Sequence, residues 1–339
     1  FTHSKRLNTN EELITYKLIY PRIIHSELMT YHMMSVNSAS SRAIPVNKLI
    51  EVIEESPFYP ISYQKKHSGM QGSSYFTSEE DIKTCDSLWK ESMQESIKVA
   101  KKMLDFGMSK QVINRGLESY QYHCCLITGT RESFEHLFHQ RCPIYNVEGL
   151  KFTSKKEAIE LYPHLKDMTD LDWLQCNSGQ AEIHFMDLAE KMYDALKEST
   201  PDILKEGDWH IPFQEEIWKG KRAEKLEDFI KMSVCLTAKI SYTKIGDENT
   251  ITIEKAREMY ERLKNSGHWS CFGHIAKCMT DNERNIWIKG ELKQVAFSEF
   301  DSETFLEAPE EAKGFSKNLR GFIPLRQYVE DGVELSKFK

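Results

Sequence analysis

Apolar and polar positions alternate from Glu12 to Tyr20 (ELITYKLIY) in a run rich in β-formers, which predicts a strand whose exit Pro21 bends. Val46–Glu55 reads as a short helix ended by Ser56-Pro57, and Phe58–Ser74 as a long loop. From Ser78 to Phe106 the apolar residues Ile82, Cys85, Trp89, Met93, Ile97, Ala100 and Leu104 recur every three or four positions, the stripe of a long amphipathic helix closed by Gly107. Ser109–Ser119 continues as a second helix. Gln121–Thr128 is a buried strand broken by Gly129, with Thr130 capping a helix over Arg131–Arg141. Ser178–Ser199 repeats the helical stripe, and Pro201–Phe213 is a turn-rich connector. In the last part, Asp228–Ser241, Thr252–Asn265 and Leu319–Glu330 read as helices, Ile275–Phe300 as strand-like, and Ser302–Ser316 as an acidic, loose stretch.

One stretch fits no single period. His25–Pro45 is apolar at Leu28, Met33, Met34 and Val36 but otherwise dense in hydroxyls, amides and charge. Ser38, Ser40 and Ser41 ahead of Arg42 suit a turn that holds an anion, and equally an N-cap region. Arg42, Arg115 and Arg141 stand in polar turns or at helix ends, where together they could clamp a phosphate and a heterocycle carbonyl.

Composition narrows the classes. The net charge of −7 argues against broad nucleic-acid binding, which needs a basic surface, but not against a local pocket for one nucleotide. No apolar run approaches membrane-spanning length, so no membrane role is expected. Eight cysteines without a CxxC pair read as reduced thiols of an intracellular, cytoplasmic protein. His136, His139 and Cys142 share a helix face at metal-ligand spacing but lack a second cluster; they read better as the edge of the face set by Phe134, Leu137 and Phe138, and no metal is expected. Adjacent Cys124 and Cys125 point to opposite faces of a strand, and no cysteine has features that demand nucleophilic activation. Neither GxGxxG nor GxxxxGK[ST] is present.

Thr30–Arg42 (TYHMMSVNSASSR) resembles the signature R-H-R-x-x-S-x-N-x-x-S-x-R of the flavin-dependent thymidylate synthases (ThyX type), in the longer form found in phage-like sequences: Ser35, Asn37, Ser40 and Arg42 match, whereas Thr30, Tyr31 and His32 replace R-H-R. Lys110–Tyr120 resembles the family helix whose arginine touches substrate phosphate, here Arg115. Thr128–Arg141 resembles the helix ending in a substrate-binding Leu-Arg pair, with Gln140 in the Leu place. Ser178–Ile183 (SGQAEI) resembles the A-Q-x-E-I segment. Ile240–His274, with ISY and SGHWSCFGH, is similar to the family's N-terminal region, so the motif order looks circularly permuted; Ser270, Phe272 and His274 match there, and Cys271 and Gly273 depart.

The resemblance implies an α/β (α+β) fold with helices packed on a twisted, mainly antiparallel sheet. It implies a nucleotide and flavin core over 1–142 and 177–200, an insertion over 143–176, and a second segment, 201–339, that completes the core. It implies a homotetramer with sites shared between chains, FAD as cofactor, and methylenetetrahydrofolate and NADPH as cosubstrates. The reaction implied is reductive C5 methylation of dUMP to dTMP, in a bacterial or phage-infected cytoplasm. The alternatives are a related C5 modification, such as hydroxymethylation or methylation of another pyrimidine nucleotide, and a non-catalytic nucleotide-binding homologue. Carried over by position, Glu27, Ser40, Arg42, Arg115 and Arg141 would bind substrate, with Arg141 and Ser40 catalytic. Thr30, Tyr31, His32, Ser35, Asn37, His136, Ser178 and His274 would bind the flavin, in a pocket with fewer permanent charges than the family's.

Overall fold

The computed structural model describes residues 1–69, 72, 74–220, 223–241, 251–285 and 319–338. Strands β1 (Thr2–Arg6) and β2 (Glu12–Pro21) lead into a one-turn helix, α1 (His25–Leu28), and strand β3 (Ser35–Ser38). Helix α2 (Val46–Glu55) and the long α3 (Glu79–Asp105) follow. The Ser78 hydroxyl caps α3 by accepting from Asp81 N–H, and three acidic residues in its first turn complement the helix dipole. The second helix expected near Ser109 is only the short α4 (Lys110–Ile113), which tightens into a 3-10 stretch over Asn114–Tyr120.

Strand β4 (Tyr122–Thr130) runs straight through Gly129 into α5 (Arg131–Arg141). Gly129 therefore does not break the strand; it stays paired with Ile14. A Cβ there would lie 3.0 Å from the Met34 side chain, so the glycine admits Met34 to the sheet surface.

Residues 143–176, expected as an insertion, carry structure of their own: a hairpin of β5 (Tyr145–Val147) and β6 (Leu150–Phe152), then α6 (Lys155–Leu161) and α7 (Asp170–Cys176). The module has a core of its own around Tyr145, Val147, Ala158, Leu165 and Trp173. Helix α8 (Ile183–Glu198) returns the chain to the sheet. The connector after it is not all turn, because β7 (Asp202–Leu204) and β8 (Trp209–His210) lie within it. Next come α9 (Gln214–Lys219), α10 (Leu226–Lys239) and α11 (Ile253–Asn265), a 3-10 turn over Ser270–His274, and β9 (Ala276–Cys278). Leu319–Glu330 is only partly helical: Phe322–Pro324 forms β10, and the helix is Leu325–Glu330. The strand-like pattern of Ile275–Phe300 holds for β9 alone; residues 281–285 are helical, and from 286 onward that range, like Ser302–Ser316, lies outside the described residues.

The main sheet has the order β3-β4-β2-β1-β7 and is antiparallel except for the β1–β7 pair. Side chains alternate faces along β2. Ile14, Tyr16 and Leu18 join Phe134, Leu137, Phe185 and Ala189 beneath α5 and α8. Leu13 points the other way, onto Ala276, Cys278, Leu319 and Phe322 of the second segment. Both faces of the central strands are thus covered, and each fully buried Phe or Leu contributes roughly 1.5–3 kcal/mol. Among the described residues, no helix is long and apolar enough to cross a membrane.

Candidate functional site

A polar site lies where the C-terminus of α5 meets the segment after α1. Arg141 sits in the last turn of α5, where the helix dipole favours a cation. Its Nη1 donates to Glu27 Oε2 at 3.0 Å, and its Nε to the Tyr31 hydroxyl at 2.9 Å. The Tyr31 hydroxyl donates in turn to Gln140 Oε1 at 3.0 Å. The guanidinium also lies 5.0 Å from the Phe185 ring centre and 5.9 Å from that of Tyr31. Arg141 is held on three sides, yet its side chain keeps 24% exposure and that of Glu27 36%, so a ligand can reach both. Tyr31 meets His136 and Phe185 edge-on. Thr30 and His32 are exposed beside it, and the Thr30 hydroxyl donates to the Glu27 carbonyl at the end of α1.

A second polar group forms around the loop after β3. Asn114 Nδ2 donates to the carbonyls of Ser41 and Ile44, and Lys110 Nζ to that of Ala43. These ties hold the loop carrying Ser40 and Arg42 against the 3-10 stretch carrying Arg115, and both arginines stand exposed. Arg42 and Arg115 thus stand on two segments tied together by Asn114 and Lys110, whereas Arg141 is fastened to Glu27 and Tyr31.

Ser35, Asn37 and His274 serve as a joint within this chain. Asn37 Nδ2 donates to the Thr237 carbonyl at 2.6 Å, and its Oδ1 accepts from Ser270 Oγ at 3.2 Å. A Cβ on Gly273 would lie 3.2 Å from Ser35 Oγ, so the 270–274 turn rests directly on β3. His274 has no solvent exposure, and its Nδ1 lies 2.8 Å from Thr128 Oγ1. From there a buried line crosses the sheet. Thr128 Oγ1 is 2.7 Å from Thr15 Oγ1, Thr15 is 2.8 Å from His210 Nε2, and His210 Nδ1 is 2.8 Å from Ser4 Oγ. Burial holds both imidazoles down at about 3, so both are neutral. His274 Nε2 is buried with no partner among the described residues. An unpaired lone pair is less costly there than an unpaired N–H, so the tautomer assigned from this network puts the proton on Nδ1. The line then donates one way, from His274 through Thr128, Thr15 and His210 to Ser4.

Ser178 lies at the base of the inserted module. Its Oγ accepts from Asn146 Nδ2 at 2.8 Å and its N–H donates to the Ile144 carbonyl. Of the eight positions expected to meet a flavin, Thr30, Tyr31, His32 and His136 therefore gather on one rim. Ser35, Asn37 and His274 fasten the second segment, and Ser178 fastens the module.

The thiols carry no sign of activation. Burial pushes Cys125, Cys271 and Cys278 up to about 12 and Cys235 to about 11. His136 and His139 are exposed while Cys142 is buried, so the three do not converge. Sequence reading missed Gln140 as a partner of Tyr31, Phe185 as the ring beneath Arg141, and Thr15, Thr128 and His210. Only Gln140, beside Arg141, carried a local signal; the rest depend on pairing across strands and helices.

Comparison with known proteins finds no matching family model and no matching curated protein. Among solved structures, the chain is similar to the UMP/dUMP methylase PolB from Streptomyces cacaoi bound with 5-Br UMP, with a TM-score of 0.40 and 13% identity over 55% of this chain and 70% of that one. It is also similar to PolB bound with 5-Br dUMP, with a TM-score of 0.39 and 12% identity over 55% of this chain and 66% of the other.

Proposed function

We propose that this chain is a flavin-dependent enzyme that methylates C5 of dUMP, with methylenetetrahydrofolate as one-carbon donor and NADPH as reductant. The observation that carries this reading is the meeting of Glu27 and Tyr31 with Arg141. They come from two stretches that resemble motifs of one family, and they converge on an accessible guanidinium over an aromatic ring. The motif order corresponds to a circular permutation, and the docking of the 270–274 turn on β3 supports it.

Each residue has a role suited to its chemistry. Arg141 would donate to a pyrimidine carbonyl and stabilise negative charge as it develops on the base. Glu27, now its partner, would accept from a ligand N–H or hydroxyl. Arg42, Arg115 and Ser40 would hold the phosphate, since a planar guanidinium pairs with phosphate oxygens at two points. FAD, when bound, would supply the reducing equivalents for the methyl group. Thr30, Tyr31, His32 and His136 fit the rim of such a cofactor: an exposed phenol ring and two imidazoles suit a flat ring better than a pyrophosphate. Asn37 and His274 fit less well, because the Asn37 amide is already bonded to Thr237 and Ser270 of the second segment and His274 reaches back to Thr128 of β4. The same reading takes the site to be completed by another copy, as in a homotetramer.

The test is direct. Protein reconstituted with FAD is incubated with dUMP or dCMP, labelled methylenetetrahydrofolate and NADPH, and the product is weighed. A methylated dUMP is expected. A hydroxymethyl product, or turnover of dCMP alone, would replace the reading with a related C5 modification. A colourless protein that takes up no flavin would replace it with a non-catalytic nucleotide binder.

A further inference from the structure

The inserted module hangs on α8 through one buried carboxylate. Glu190 Oε2 accepts from the Tyr145 hydroxyl at 2.9 Å, and Oε1 accepts from the Lys155 N–H at 2.6 Å. Between the module, α8 and the chain near Tyr59 and Tyr122 lies a cavity of about 310 Å³. That is the lower end of the range for small-molecule sites, about 300–1,000 Å³. Its walls include Tyr59, Tyr122, Trp173 and Leu174, and Glu190 lines it as well.

The charges around the cavity are unevenly settled. Lys155 is paired with Asp170 at 3.0 Å and Lys191 with Asp187 at 2.6 Å. Glu190 is different: its side chain is buried and both of its partners are neutral donors, a phenol and a peptide N–H. An ionised carboxylate offers about four lone-pair sites, so one remains on each oxygen. A carboxylate that lines a cavity with aromatic walls suits a flat ring with two parallel N–H donors on one edge.

We infer that this cavity binds a 2-amino-4-oxo heterocycle, a guanine or a pterin, whose ring N–H and amino group donate together to Glu190. The selection rule follows from donor patterns. Uracil offers one N–H between two carbonyls, so a carboxylate placed for two donors would face a carbonyl oxygen. Adenine sets its amino donor beside a ring acceptor and mismatches in the same way. The site is also separate from Arg141. At 3.6 residues per turn, Phe185 and Glu190 stand about 140° apart around α8, so Phe185 faces Arg141 while Glu190 lies on a different face, at the cavity. Burial raises the Glu190 pKa, outweighing the bonds from the Lys155 N–H and Tyr145 and the nearby Lys155 charge.

Equilibrium dialysis of GMP, tetrahydrofolate or UMP against the full chain provides the readout. Saturable binding of GMP or of tetrahydrofolate is expected, the tighter of the two identifying the source, with UMP at least tenfold weaker. Glu190→Gln, which turns one acceptor into a donor, should weaken binding at least tenfold. Because Glu190 also anchors the module, Leu174→Trp is the second variant; it fills the cavity without touching the carboxylate and should abolish binding. No saturation by either ligand, equal affinity for UMP, or binding unchanged in Leu174→Trp overturns the assignment.

Discussion

Glu27 Oε2 lies 3.0 Å from Arg141 Nη1, across 114 residues of sequence. The pair is half-open to solvent, so its net stabilisation of the fold is small, about 0–1 kcal/mol. It holds Arg141 in one orientation over Phe185. Arg141→Ala should therefore leave the thermal midpoint within a few degrees of the parent. It should lower kcat/KM for the pyrimidine by on the order of a hundredfold, about 3 kcal/mol of transition-state stabilisation. Steady-state kinetics beside a melting curve checks both halves, and a variant with full activity removes Arg141 from the reaction.

The proposed sharing of the site between copies gives a second expectation. Arg115→Ala and Arg141→Ala should each be inactive alone. Unfolded together and refolded as a mixture, they should regain turnover, because some sites then receive Arg115 from one copy and Arg141 from another. Light scattering at micromolar concentration should report an oligomer. A monomer, or a mixture as inactive as its components, would show that one chain must supply both arginines.

Asn37 separates a structural role from a cofactor role. Its amide is buried and bonded to the Thr237 carbonyl and the Ser270 hydroxyl. Asn37→Ala leaves that carbonyl without its donor, at a cost of about 1–3 kcal/mol. The loss should appear in urea unfolding of the protein without any flavin or nucleotide. Unchanged stability, with a defect only in flavin uptake, would return Asn37 to the cofactor.

What the sequence made legible follows the range of the interactions involved. Glu12–Tyr20, the long stripe from Ser78 and the helix after Thr130 were readable because local periodicity and caps define them. The strands of the second segment are two or three residues long, and their pairing to distant partners leaves no period to read. His210 shows the effect: it sits in what reads as a turn-rich connector, yet it pairs with β9 and bonds to Thr15. Gly129 reads as a breaker by residue type, but the space it leaves for Met34 decides the matter. At the candidate site, motif likeness singled out Arg141 and Glu27 as substrate contacts, and the structure pairs them with each other. The joint made by Asn37 and His274 was not legible, because the same residue types serve a ligand or a carbonyl equally well.

The buried histidines set the acid limit of the fold. His210 and His274 are held near 3 by burial, and His25 and His123 are lowered to about 4 and about 2, also chiefly by burial. An unfolded histidine titrates at about 6.5. Between that value and the folded ones, the unfolded chain binds protons that the folded chain does not. Stability therefore rises with pH across this window and falls as pH drops below about 6.5, by up to about 1.4 kcal/mol per pH unit for each such proton. Above about pH 7 both states are neutral at these positions and their contribution is flat. Glu12, whose pKa is lowered in the fold despite its burial by bonds from Arg131 and His3, adds a loss of the same sign only at lower pH. Urea unfolding midpoints should thus hold steady from pH 8 to 7 and decline steeply from 6.5 to 4.5. His210→Gln can still donate to Ser4 or accept from Thr15 but cannot take up a proton. It should lower stability at pH 8, by leaving one contact of the line unmade, and should reduce the slope below pH 6.5 by about one proton's worth. A slope in that variant equal to the parent's would mean that His210 is protonated in the folded chain, and the neutral line from His274 to Ser4 could not stand.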